Sequence, residues 1–145
     1  MKRATKKKLN IATEITEALQ SLGVQEPDVT QAQFDDGGWA TECGAQINGE
    51  DVELDVMHYH RVDDKARLIL HGWHFDEVDA VHLGEVITRT LSGDAAIKHR
   101  RTLIGSSSHV LEVSVGSEKY HASNESFSTE TAAHWETRLL PPKAV

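Results

Sequence analysis

Four of the nine histidines of this 145-residue chain lie between positions 58 and 74. His58 and His60 are two residues apart on an expected strand, so both imidazole rings point to one face of it. If the next strand pairs Val56 with His71, a third imidazole joins that face. Three nitrogen ligands with one open position are typical of catalytic zinc, whose bound hydroxide performs hydrolysis or hydration. The candidate zinc ligands are therefore His58, His60 and His71.

A structural role for these histidines is the stronger interpretation. The three-histidine face needs one strand register among several, and a slip of one residue replaces His71 with His74. The sequence has no His-Glu-x-x-His motif and no paired cysteines to support a metal. Histidines also occur at half-buried strand ends beside aromatic residues such as Trp39 and Trp73. We therefore expect no cofactor, with zinc as the alternative.

Other residues capable of catalysis give weaker indications. Cys43 is the single cysteine, so the chain forms no intramolecular disulfide, in agreement with a reducing compartment. A nucleophilic thiol needs a nearby base and partial exposure, whereas Cys43 falls on an apolar strand face. The Gly105–Ser108 segment lacks the Gly-Lys-Ser/Thr ending of a phosphate-binding loop and predicts a turn. Without a strong catalytic motif, we expect a non-catalytic protein and keep a metal-dependent hydrolase as the alternative.

The distribution of charge gives the main functional indication. The formal charge is −8, from 23 acidic and 15 basic side chains, and five of the basic ones lie in the first eight positions. Residues 9–145 therefore carry 10 basic and 23 acidic side chains, a net charge of −13. An extended anionic surface steers basic partners toward it, although the same charge can serve solubility alone. We expect the partner to be another protein with a basic surface.

Two basic segments run against this trend and suggest nucleic-acid binding as a further alternative. Their side chains could contact phosphates, which would make binding sensitive to salt. Aromatic residues are only 6% of the chain and none is interleaved with these segments, so no base-stacking surface is indicated. The acidic body would also repel a duplex. The candidate phosphate contacts are Lys6, Lys7, Lys8, Arg100 and Arg101.

The most specific structural prediction is a β-hairpin at Asn48-Gly49, since both turn positions of such a hairpin require positive φ. Pairing Ile47 with Glu50 gives a register in which one face of the hairpin is apolar and the other faces water. Gln46 lies on the solvent face together with several carboxylates. The candidate partner-binding residues on that face are Glu42, Asp51, Glu53 and Asp55.

The remaining elements follow from periodicity and from turn residues. Apolar spacing predicts a helix over Leu9–Leu22 that ends at Gly23. A second helix, capped by Asp76 and ended by Gly93, carries an apolar stripe, and a last helix is capped by Ser128 or Thr129 and stopped by prolines. The stripe is Ala80, Leu83, Ile87 and Leu91, and the other expected strands are Gln31–Asp35, Arg67–Phe75, Thr102–Ile104, Val110–Val115 and Lys119–Ala122.

These elements predict a single α+β domain at 9–145, behind a flexible basic arm at 1–8. Its order is α-ββββ-α-βββ-α, with three helices and a mostly antiparallel sheet of six to seven strands. This order, in a small acidic chain, resembles class I type III secretion chaperones and small immunity proteins that neutralise toxins. The resemblance is one of topology and implies an immunity, inhibitor or chaperone role.

We also expect a cytoplasmic protein with no membrane partner. No apolar run approaches the roughly 20 residues of a membrane span, and the stretch after the basic arm is amphipathic, unlike a secretory signal. Homodimer formation is left open.

Overall fold

The computed structural model describes residues 10–34, 38–59, 65–101 and 107–141. Within these ranges the chain forms three helices, one short 3-10 helix and eight strands, with the following bounds: α1 Ile11–Ser21, β1 Asp28–Gln33, β2 Gly38–Ile47, β3 Glu50–Tyr59, β4 Lys65–Leu70, β5 Trp73–Asp79, the 3-10 helix Ala80–His82, α2 Leu83–Ser92, β6 Ala96–Arg101, β7 Ser107–Val115, β8 Glu118–Ser123 and α3 His134–Thr137.

All eight strands belong to one antiparallel sheet, in the spatial order β1-β2-β3-β4-β5-β8-β7-β6. Helix α1 packs against α2 and β1, and α2 also packs against β7. Alternate strand residues are buried beneath these helices, and we call this side the inner face. The opposite side, the outer face, has no helix on it among the described residues. The predicted α+β class with a mostly antiparallel sheet is therefore confirmed.

The Asn48-Gly49 hairpin forms as predicted. Asn48 has φ 52° and Gly49 has φ 82°, the left-handed values that this turn requires. The β2–β3 register runs from Ile47 opposite Glu50 to Gly38 opposite Tyr59. Period-two alternation then puts Val52, Leu54 and Val56 on the inner face. The carboxylates of Glu42, Asp51, Glu53 and Asp55 lie on the outer face.

Two helices also have their predicted apolar faces. The side chain of Asn10 accepts a hydrogen bond from the Thr13 amide at the start of α1, and Gly23 follows the helix with φ 96°. Gly93 ends α2 with φ 97°. The predicted stripe of the second helix is buried in full: Ala80, Leu83, Ile87 and Leu91.

The predicted single strand Arg67–Phe75 is wrong, because His71 and Gly72 form a turn within it. Both residues have positive φ, 47° and 87°. This turn separates β4 from β5 and raises the strand total to eight, above the six to seven expected. Asp76 is not a helix cap, since β5 continues to Asp79 and the 3-10 helix follows directly.

Three further boundaries differ from the sequence prediction. The first strand is Asp28–Gln33 instead of Gln31–Asp35, and the last helix starts at His134, well beyond Ser128 and Thr129. Strand β6, Ala96–Arg101, lies before the predicted strand Thr102–Ile104. That predicted strand is outside the described residues, as is the arm at 1–8. Among the helices of the described ranges, none is long and apolar enough to cross a membrane.

A buried carboxylate holds residues 130–140, which we call the C-terminal segment, against the inner face. Glu136 is only 4% exposed. Its Oε2 accepts a hydrogen bond of 2.7 Å from Trp73 Nε1, and its Oε1 accepts one of 2.8 Å from the Ala133 amide. Both carboxylate oxygens are therefore satisfied, which a buried charge requires.

The carboxylate of Glu50 provides a second attachment for this segment. It accepts hydrogen bonds from the backbone amides of His134, at 2.7 Å, and Trp135, at 3.2 Å. At the far end of the segment, the Ile97 amide donates to the Leu139 carbonyl at 2.8 Å. The C-terminal segment is thus tied to β3, β5 and β6.

We predict that Glu136→Gln lowers the free energy of unfolding by about 2 kcal/mol. The amide leaves one of two buried N–H donors facing another donor, and an unsatisfied buried donor costs about 1–3 kcal/mol. Urea denaturation measures the change, with Glu130→Gln, at an exposed position of the same segment, as the matched control. Equal stability of both variants would show that the Trp73–Glu136 bond contributes nothing.

Candidate functional site

The outer face changes from acidic to basic across the sheet. A single cross-strand row spans all eight strands, and its side chains point away from the helices. The row begins beside carboxylates on β1–β3, passes through an isoleucine in the middle and ends on a lysine. Its members, from β1 to β6, are Thr30, Glu42, Asp55, Ile69, His74, Ser123, Val110 and Lys98.

A depression in the acidic half of this face surrounds Gly44. This glycine lies opposite Asp28 on β1 and opposite Glu53 on β3. The next pair in the ladder is Glu42 and Asp55, so that four carboxylates surround a position without a side chain. The depression has a volume of about 370 Å³. We call it the acidic depression.

The carboxylates of the acidic depression have no cationic neighbour among the described residues. None of the four forms an ion pair there. The sequence explains this, because residues 9–60 contain eleven acidic side chains and no lysine or arginine. Three strands built from such a segment cannot neutralise their own outer face.

Burial, together with repulsion from neighbouring carboxylates, disfavours the ionised form of Asp55. Its pKa is raised by partial burial and by the negative charges of Glu42 and Glu53. A raised pKa means that the folded state disfavours the ionised form. A cation placed in the acidic depression would offset the part of this penalty that comes from Glu42 and Glu53.

Cys43 also lines the acidic depression but is unsuited to nucleophilic chemistry. Cys43 is buried, and this burial together with the charge of Asp28 raises the pKa of its thiol. The reactive form of cysteine is the thiolate, which this environment disfavours. Cys43 therefore acts as a small apolar residue of the inner face.

The structure brings three of the four predicted partner-binding residues together. Glu42, Glu53 and Asp55 line the acidic depression, whereas Asp51 lies on the same face nearer the hairpin turn, opposite Gln46. Sequence reasoning missed Asp28, because the first strand was placed three residues too late. The alternation of polar Asp28 and Thr30 around Val29 was the available indication.

The proposed histidine set is not assembled by the strand register. Val56 lies opposite Leu68, not opposite His71. His71 is in the β4–β5 turn, where its ring packs edge-on against Trp135 at a centroid distance of 6.0 Å. His58 lies opposite Trp39, and His60 is outside the described residues. Within the described ranges, no three His, Cys, Asp or Glu side chains are arranged to hold a metal ion.

A second titratable cluster lies where β5 meets the 3-10 helix. The Tyr120 hydroxyl donates to Asp79 Oδ2 at 3.1 Å and lies 2.7 Å from His82 Nδ1, while Lys65 pairs with the same aspartate. Lys65 and Tyr120 lower the pKa of Asp79, and burial raises that of Tyr120. A phenol that keeps its proton beside an ionised carboxylate ties β4, β5 and β8 together and supplies no nucleophile.

The basic half of the outer face is formed by β6–β8. Lys98 and His121 both contact Glu112, at 2.7 and 3.0 Å, and Arg100 is exposed near the end of β6. Lys119 adds a further exposed cation on this face. Of the predicted phosphate contacts, the side chain of Arg101 and the residues Lys6, Lys7 and Lys8 are outside the described part of the chain.

Comparison of the chain with protein-family models, with curated proteins and with solved structures finds no match. The function must therefore be inferred from the geometry and charge of the surface itself.

We predict that Asp55→Asn stabilises the protein at pH 7 by about 0.5 kcal/mol, since like charges directly opposite each other in a sheet are destabilising. Because the folded-state pKa of Asp55 is raised, its ionisation costs stability as the pH rises through that pKa. The advantage of the variant should therefore disappear on acidification. Thermal unfolding from pH 7 to pH 4 measures it, with Asp51→Asn as control. No gain at pH 7 would contradict the proposed repulsion.

His109 should make stability depend on pH in the opposite direction. Its ring contacts those of Phe127, at 4.9 Å, and His99, at 5.3 Å, and burial together with the charge of His99 lowers its pKa. A lowered folded-state pKa means that stability is lost as the pH falls through the unfolded value of about 6.5. Wild-type protein should thus lose more stability between pH 7 and pH 5 than His109→Gln. Equal losses would contradict this assignment, and His74→Gln is the control.

Proposed function

We propose that this protein is a non-catalytic binding module whose acidic depression takes up a basic segment of another protein. One observation carries the proposal. Four carboxylates surround a depression on a sheet face that no described helix covers, and none of them has a cationic partner among the described residues.

The energetics of the depression favour a cation from outside. The pKa of Asp55 is raised by burial and then by repulsion from Glu42 and Glu53, and an incoming guanidinium or ammonium group would relieve that repulsion. An arginine suits the position best, because its planar fork can donate to two carboxylates at once. A volume of about 370 Å³ accommodates one such side chain.

The charge around the depression also favours fast association. An anionic surface steers a basic partner into encounter and can raise association rates by about 10–10³-fold at low salt. Such steering suits proteins that bind and cover another protein. An immunity, inhibitor or secretion-chaperone role for this chain is consistent with that behaviour.

The direct test is binding of a fluorescent peptide of alternating arginine and glycine at 50 mM NaCl. We predict that Glu53→Lys combined with Asp55→Lys weakens binding at least tenfold, because the reversal replaces attraction by repulsion. Glu17→Lys combined with Glu130→Lys makes the same change in net charge away from the outer face and should change the affinity less than twofold. Equal losses in both pairs would show a general charge effect and reject the depression as the site.

A second variant tests the shape of the depression while every carboxylate stays in place. No heavy atom lies within 4 Å of a Cβ built on Gly44, so Gly44→Val has room for its Cβ and places an apolar side chain in the depression. We predict about fivefold weaker binding of the same peptide. Gln46→Val, on the same strand and face, is the control and should bind as the wild type does. Unchanged binding by Gly44→Val would place the peptide elsewhere.

A further inference from the structure

The acidic half of the outer face is matched by a basic half on the same continuous sheet. The acidic half comprises the outer residues of β1–β3, with the acidic depression at its centre. The basic half comprises those of β6–β8, where Lys98, Arg100 and Lys119 are exposed. A surface that is acidic at one end and basic at the other is complementary to a second copy of itself.

We propose that two copies of this chain associate through their outer faces, with the acidic half of each on the basic half of the other. A two-fold axis that runs along the mean strand direction, between the two faces, produces this arrangement. It places β6 of one copy over β1 of the other. Each residue keeps its height along the strand direction, so residues at the same height in the two copies face each other. Both charge contacts then form at once, as an isologous interface requires.

The strand registers identify which charges meet. Thr30 on β1 and Lys98 on β6 belong to the same cross-strand row. Asp28 lies two residues from Thr30, and Arg100 lies two residues from Lys98 in the same direction along the sheet. Arg100 of one copy therefore lies at the level of Asp28 in the other. In this position it borders the acidic depression.

The size and centre of the face suit a dimer. Eight strands at about 4.8 Å spacing and about six residues of strand length give about 700 Å² per copy, or about 1,400 Å² in total. Standard interfaces bury 1,200–2,000 Å². The half-buried apolar residues Met57, Ile69 and Val110 lie on the outer face between the charged ends and supply apolar contact.

The dimer would occupy the acidic depression and so compete with the basic partner of the proposed function. It does not depend on that partner, because it follows from the charges and the registers of the sheet. A basic ligand that binds the acidic depression more tightly than the second copy does would then dissociate the dimer.

Sedimentation equilibrium of the full chain tests the dimer at 50 and 500 mM NaCl. We expect a dimer at low salt whose dissociation constant rises at least tenfold at high salt. Asp28→Arg and Arg100→Glu should each weaken it at least tenfold. The double variant, which exchanges the two charges, should return to within threefold of the wild type. Arg138→Glu, at an exposed position beside α2 and away from the outer face, is the control and should change it less than threefold.

A monomeric wild type at 200 µM and low salt would overturn the proposal, and so would a double variant that fails to recover. Circular dichroism confirms folding of each variant, and Arg100→Lys, which keeps the charge, should retain the dimer. The arginine–glycine peptide separates the two proposals. Arg100→Glu should bind it at least as tightly as wild type, so loss of the dimer with retained peptide binding affects only the dimer.

Discussion

The pairing of β2 with β3 through the Asn48-Gly49 turn determines which side of the sheet carries the acidic depression. Since side chains alternate along a strand, a shift of one residue would exchange the buried and solvent-facing sets of both strands. The observed register buries Val52, Leu54 and Val56 beneath the helices and leaves the carboxylates between them in water. Because neighbouring strands pair in register with β2 and β3, this pairing also determines which of their residues are buried. The acidic depression is a consequence of the same alternation that forms the core.

Charge on the outer face follows the order of the strands in space. Residues 9–60 supply acidic but no basic side chains, and they form the first three strands at one edge of the sheet. The crossover through α2 brings β6 to the opposite edge, so the lysine and arginine of that strand cannot reach the early carboxylates within one molecule. Among the described residues, the carboxylates around Gly44 therefore have no cationic partner.

Local patterns predicted those elements whose determinants are local. The Asn48-Gly49 hairpin, the apolar stripe of α2 and the end of α1 at Gly23 depend on residues within a few positions. The β4–β5 turn was missed because its two residues are His71-Gly72 and not the Asn-Gly or Asp-Gly pair that is typical of a two-residue hairpin turn. Helix α3 was misplaced because its support comes from Glu50 and Trp73, which are distant in sequence. The sequence predicted three of the four carboxylates of the acidic depression. It did not predict the fourth, Asp28, because the strand that carries it has weak polar–apolar alternation.

We propose that a basic segment binds the outer face around Gly44. Amide chemical-shift mapping of ¹⁵N-labelled protein, during titration with an arginine–glycine peptide, tests it most directly. Binding in the acidic depression should give the largest shifts at Thr30, Gly44 and Glu53 and leave α1 and α2 unaffected. Largest shifts on the helices, or on the basic half of the sheet, would contradict it.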